Sequence, residues 1–161
     1  MGLLASAYEM SHFKDICPPK VIANAKALAR ALRECGIDVA GDPAIDYTET
    51  HQVAVKVGYG LGPEIAGRLE ANNIICNYQA IPSEEGFTAA GALRLGVSEM
   101  TRFGMEEGDF RELAGLIHDV VKNEINVQQR VKAFRQRFRE LQFCFKKDEF
   151  SDLFQTLHGL L

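Results

Sequence analysis

The chain has 161 residues, 47% of them hydrophobic and 25% charged, with a formal net charge of −4. That suits one soluble globular domain with a real core, or one domain with an attached arm. No basic face dominates, which argues against a nucleic-acid partner, and no apolar run reaches the ~18 residues of a membrane span. The N-terminus lacks a basic stretch ahead of an apolar one, so no signal peptide is expected. Cys17, Cys35, Cys76 and Cys144 form no C-x-x-C pair, and His12, His51, His118 and His158 have no ligand spacing. Small buried cysteines in a reducing cytoplasm and no metal are the expectation.

Residues 2–16 read as a helix that begins with no N-cap ahead of it, which points to an upstream part. Pro18 and Pro19 open a second helix running to about Glu34, with Val21, Ile22, Ala25, Leu28, Ala29 and Leu32 on one stripe. Gly36 stands where a left-handed helix cap belongs. Ile37–Ala40 is a short strand candidate, and Gln52–Val57 an alternating one.

Gly58-Tyr59-Gly60-Leu61-Gly62-Pro63 leads into a helix over about 63–72. A dinucleotide fingerprint would need glycine where Pro63 stands, so a tight strand-to-helix turn is expected instead. Residues 74–78 predict a strand, and Pro82 to Gly91 a loop.

The next strand carries Ala92-Leu93-Arg94-Leu95-Gly96. If both leucines face the core, alternation sends Arg94 to the other face, where its planar fork can hold a carboxylate. From the pattern alone, an ordinary strand arginine on a solvated face is the commoner explanation.

A helix is predicted over about 107–122, with Phe110, Leu113, Leu116, Ile117 and Val120 on one face. Another covers about 126–142, with Val127, Val131, Phe134, Phe138 and Leu141 apolar. Its opposite face, Arg130, Lys132, Arg135, Arg137 and Arg139, reads as a solvated charged surface rather than an anion site. Phe143, Phe145, Phe150, Leu153, Phe154 and Leu157 form a last amphipathic segment, suited to core or subunit contact. No nucleophile–base pair, phosphate loop or repeat is visible, so no catalytic residue is assigned.

Four stretches are together specific. ALRLGVSEMTRFGM at 92–105 resembles the S-G-[IL]-R-[IL]-G-T-x-A-x-T-x-R-G segment of serine (glycine) hydroxymethyltransferases, pyridoxal-phosphate enzymes of fold type I. VIANAKALARAL at 21–32 resembles the family's V-x-x-N-A-x-x-L-A helix. TETHQVAVKV at 48–57 resembles T-D-N-H-x-x-x-V, and IICNYQAIP at 74–82 resembles I-x-x-N-K-N-x-[IV]-P. Order and spacing agree from about residue 3 to residue 140.

The resemblance implies the small C-terminal α/β domain: two layers, with a three- or four-stranded, mostly antiparallel sheet covered by helices, behind a long connecting helix. Residues 1–36 would be the arm to a missing large domain, 37–142 the small domain and 143–161 a Phe-rich tail. The lysine that holds pyridoxal phosphate would lie upstream, since none of Lys14, Lys20, Lys26, Lys56, Lys122, Lys132, Lys146 or Lys147 matches the family's lysine motif. The fragment alone should then hold no cofactor and be inactive.

By resemblance Arg94 is the arginine that binds the α-carboxylate of a glycine-, serine- or threonine-type substrate. The family's lysine and second asparagine in N-K-N are Tyr78 and Gln79 here. The asparagine contacts the folate pterin, so Gln79 is the candidate folate-side residue, one methylene longer. The loop from Pro82 is about two residues shorter than the family's. Phe103 replaces an arginine, with Arg102 beside it, and Ala90 replaces a serine. These departures place tetrahydrofolate use in question and keep a folate-independent aldolase or transaldolase open. A non-catalytic remnant serving as a binding or oligomerisation module is the other alternative. Expected partners are an amino acid and either a second copy or the missing large domain, with no nucleic acid or membrane, in the cytoplasm.

Overall fold

The computed structural model describes residues 2–81 and 89–145, together with Ser151 and Gln155. Most of the Pro82–Gly91 loop, and Phe150, Leu153, Phe154 and Leu157 of the tail, lie outside the described residues.

Helix α1 (Gly2–Phe13) is followed by a short turn and then α2 (Cys17–Glu34), which has proline in its first turn as expected. The stripe on α2 is buried: Ala25, Leu28, Ala29 and Leu32 are at most 1% exposed. A paired-bond cap ends α2, with Gly36 N–H donating to the Arg33 carbonyl and Ile37 N–H to that of Leu32, and Gly36 at φ +77°.

The chain then forms β1 (Asp38–Val39), a 3-10 turn (Pro43–Ile45), β2 (Gln52–Lys56) and α3 (Gly62–Ala71). After α3 come β3 (Asn77–Gln79), β4 (Ala92–Gly96), α4 (Ser98–Arg102), α5 (Glu107–Asn123) and α6 (Gln128–Arg135). The four strands make one antiparallel sheet in the order β1-β2-β4-β3. Val53, Val55, Leu93 and Leu95 turn inward, into one core with Leu28, Leu32, Phe110 and Ile117. Helices α2 and α3 pack against the strands, and α5 packs against both of these helices. This is the expected two-layer α/β domain behind a long helix.

Two predicted boundaries shift, each for a local reason. Ile74 is apolar because it closes a second helix cap, not because it is in a strand. Its N–H donates to the Leu69 carbonyl, Asn73 adopts φ +64°, and β3 starts only at Asn77. The α-helix predicted to reach 142 ends at Arg135, after which Arg137 and Phe138 N–H groups bond three residues back. This tighter winding keeps Phe138 buried and sets its ring 5.2 Å from that of Phe134.

The glycine-rich turn after β2 is a turn, as expected. Gly60 N–H donates to the Ala89 carbonyl at 2.7 Å and Gly62 N–H to that of Ala90 at 2.8 Å. These amides zip the turn to the segment that enters β4, so they are not free to cradle a phosphate. The basic residues near the C-terminus are largely used within the fold. Arg130 pairs with Asp119, Arg137 with Asp109 and Glu112, and Arg135 lies over the Phe103 ring at 4.3 Å. The four cysteines are free thiols, but part-buried rather than fully buried, Cys17 and Cys76 packing against the outside of the core cluster. No helix among the described residues is long and apolar enough to cross a membrane.

Candidate anion-binding site

Strand β4 sets the site by simple alternation. Leu93 and Leu95 are 0% and 6% exposed on the core side, and Arg94 between them is half-buried on the opposite face. Arg94 faces Ala54 on β2 and Asn77 on β3 in the same row of the sheet. One row along, Gln52 faces Gly96, which has no side chain to fill the space.

The result is a cleft of about 300 Å³ with Arg94 in its wall, lined also by His51, Gln52, Ile75, Cys76, Asn77 and Gly96. The Gln52 amide and the His51 ring lie 3.2 Å apart at its rim. Burial, and secondarily the Glu70 carboxylate, push the Cys76 thiol up from its ordinary 9.0 to about 11, so it presents as neutral S–H at pH 7.

Among the described residues, the Arg94 guanidinium makes no ion pair and no hydrogen bond, its backbone being paired in the sheet. Arg30, Arg33, Arg68, Arg102, Arg130 and Arg137 all pair with carboxylates. A half-buried guanidinium flanked by neutral amides, with no carboxylate partner among the described residues, is a planar donor set open to an anion. It can take a carboxylate in bidentate geometry without first breaking an internal pair.

Gln79 lies on the same sheet face, one pair along β3, opposite Ala92. The structure brings Arg94 and Gln79 onto neighbouring strands but not into one cleft, because Gln79 does not line the Arg94 pocket. No role was assigned from sequence to His51, Gln52, Asn77 or Gly96. The period-two pattern of β2 and β4 was a visible signal, but cross-strand register was needed to bring them together.

No described lysine lines the cleft, and Lys56, on the same face, is drawn to Asp38 at 3.7 Å. Nor do any three described His, Cys, Asp or Glu residues cluster as a metal site.

Comparison with known proteins follows the same lines. The family model described as Serine hydroxymethyltransferase matches residues 4–117. The chain is 42% identical over 144 residues to a serine hydroxymethyltransferase of Pyrobaculum aerophilum, covering 88% of this chain and 33% of that protein. Against its counterpart in Saccharolobus islandicus it is 40% identical over 154 residues, covering 92% and 35%. A crystal structure of L-threonine transaldolase from Pseudomonas fluorescens superposes with a TM-score of 0.81 at 31% identity, covering 94% of this chain and 36% of that one. The chain thus spans about a third of the length of the curated relatives it matches. With a family model matching residues 4–117 and relatives of 40–42% identity over most of its length, the chain belongs to the serine hydroxymethyltransferase family.

Proposed function

We propose that this chain is the small domain of a pyridoxal-phosphate-dependent hydroxymethyltransferase acting on glycine or serine, and that Arg94 binds the substrate α-carboxylate. The observation that carries this is the half-buried Arg94 guanidinium, unpaired among the described residues, in a cleft walled by neutral Gln52 and Asn77. A bidentate grip at the carboxylate fixes two atoms of a small substrate and so limits how its α-carbon can turn. The cofactor and its lysine belong to the portion of the protein outside these residues, and the chain by itself orients an amino acid without transforming it.

Residues 1–36 act in this scheme as the arm to that portion. Support comes from α1, where Leu3, Tyr8 and Met10 are 87%, 49% and 57% exposed, an apolar surface suited to a large domain or a second copy. Four thiols without a disulfide agree with a cytoplasmic location.

The test is kinetic, in a protein that joins this chain to a cofactor-binding portion. Arg94→Ala should raise KM for the amino acid and lower kcat, a combined loss on the order of 2–4 kcal/mol, with Arg94→Lys intermediate. Unchanged kinetics would remove Arg94 from the carboxylate role.

A second activity, folate-independent transaldol or aldol chemistry, is favoured by Gln79 and Tyr78 standing where the family has asparagine and lysine. The likeness to a solved L-threonine transaldolase adds to it. Tetrahydrofolate added with glycine separates the two: a perturbed cofactor spectrum supports the hydroxymethyltransferase, and no perturbation supports the aldolase.

A further inference from the structure

We infer that Asn24 and Thr101 are positioning residues for the Arg94 cleft, through a buried hydrogen-bond chain that ties α2 to the exit of β4. Asn24 on α2 is 2% exposed, and its amide donates to Thr101 Oγ1 and to the Met105 carbonyl, each at 2.9 Å. Thr101 is 1% exposed and donates in turn to the Val97 carbonyl at 2.8 Å. Val97 N–H then donates to the His51 carbonyl at 3.1 Å. The chain therefore starts in the long helix and ends at a residue on the rim of the cleft.

Its place in the sheet gives it leverage. The β2–β4 ladder stops at the Gln52–Gly96 pair, so Val97 is the first residue beyond it. Past the Gln52–Gly96 pair, β4 is held to His51 by the Val97 N–H, and the Val97 carbonyl accepts from both the Thr101 N–H at 2.9 Å and the Thr101 hydroxyl, which adds the link to Asn24. Arg94 is three residues back on a strand of only five, so a loosened exit is felt at the guanidinium.

Stability alone is a poor explanation for the chain. Two polar side chains in an apolar core carry a desolvation cost, and an apolar pair of matched volume often stabilises as well or better. What a fully satisfied buried network adds is one fixed geometry. Here that geometry fixes the position of β4 relative to α2 and the cleft rim. The inference rests on the carboxylate role proposed for Arg94.

Nitrogen-15 NMR of the Arg94 Nε–Hε group in the 161-residue chain tests it, with the signal assigned by its loss in Arg94→Lys. Without ligand, Thr101→Val should lower the heteronuclear NOE at Arg94 Nε, and Thr101→Ser should restore it. In a glycine titration, Thr101→Val should weaken the Arg94 response about threefold or more, as expected when a supporting shell is loosened. Glycinamide, which lacks the carboxylate, should move the signal in none of the proteins.

A wild-type Nε with equal responses to glycine and glycinamide would overturn the carboxylate role of Arg94, while the ligand-free NOE would still decide the positioning. An unchanged NOE and an unchanged glycine response in a folded Thr101→Val would overturn the positioning. Should that variant not fold, Asn24→Ser, which keeps a single donor, carries the same comparison.

Discussion

Asn77 stands directly opposite Arg94 in the β3–β4 ladder, so the guanidinium meets a neutral amide where a carboxylate would have neutralised it. Asn77→Asp should therefore create a cross-strand ion pair and close the site from within. An opposite-charge pair of about 1 kcal/mol would weaken an incoming carboxylate roughly fivefold, an effect that shrinks as salt is raised. Glycine titration of the Arg94 Nε signal measures it. Equal affinities in the two proteins would show that the neutrality of Asn77 does not matter.

The face on which Arg94 lies was legible in the sequence, because Leu93 and Leu95 alternate with it and a strand has a period of two. The long helix α2 and its Gly36 cap were legible for similar reasons, from a clear stripe and a residue type that suits positive φ. The companions of Arg94 were not. His51 and Gln52 are some forty residues away in sequence, and only the antiparallel register of β2 with β4 brings them to the cleft. Local apolarity also misled at Ile74, where a cap contact looks like a strand residue. The five-residue α4 fell between two stronger signals, although Gly104 at φ +89° marks its end.

Gly96 offers a direct way to fill the cleft. A Cβ built there meets no atom within 4 Å, and its backbone φ is not in the left-handed region. Gly96→Ala should therefore leave stability within about 0.5 kcal/mol of the parent. Gly96→Phe should keep the fold, occupy the space between Gln52 and Arg94, and abolish the glycine response at Arg94 Nε. Urea unfolding and the same titration report the two effects separately. Glycine binding retained in Gly96→Phe would mean that the ligand uses some other part of the sheet face.

Gly62 is the opposite case. A Cβ there would lie 2.2 Å from the Ala90 carbonyl oxygen and 2.9 Å from Tyr78 Cβ. The first of these is backbone, which cannot rotate away as a flexible side chain would. Gly62→Ala should cost about 1–3 kcal/mol, the usual range for forced overpacking. It should also lose the Gly62–Ala90 hydrogen bond that guides the chain into β4. A lower urea midpoint, with a weaker glycine response at Arg94, is the expected pair of results.

Cys76 links the cleft to pH. Burial is the main cause of its raised pKa, with the Glu70 carboxylate adding to it, so the native thiol keeps its proton to about 11 while an unperturbed one ionises near 9.0. Between these values the unfolded chain binds fewer protons than the native one, so stability falls as pH rises through that window. Below it the contribution is fully present and flat. Cys76→Ala should remove this part of the alkaline slope, as read by urea unfolding at several pH values. The same shift slows alkylation. At pH 8 the thiolate fraction drops roughly a hundredfold, partly offset by the greater nucleophilicity of the more basic sulfur, which leaves a net slowing of about tenfold. Iodoacetamide labelling followed by peptide mass spectrometry should show this for native Cys76 relative to the urea-unfolded chain. Because Cys76 lines the cleft beside Asn77, the labelled protein should also lose its glycine response at Arg94. A labelled protein that still responds would place the carboxylate on the Gln79 side of the arginine.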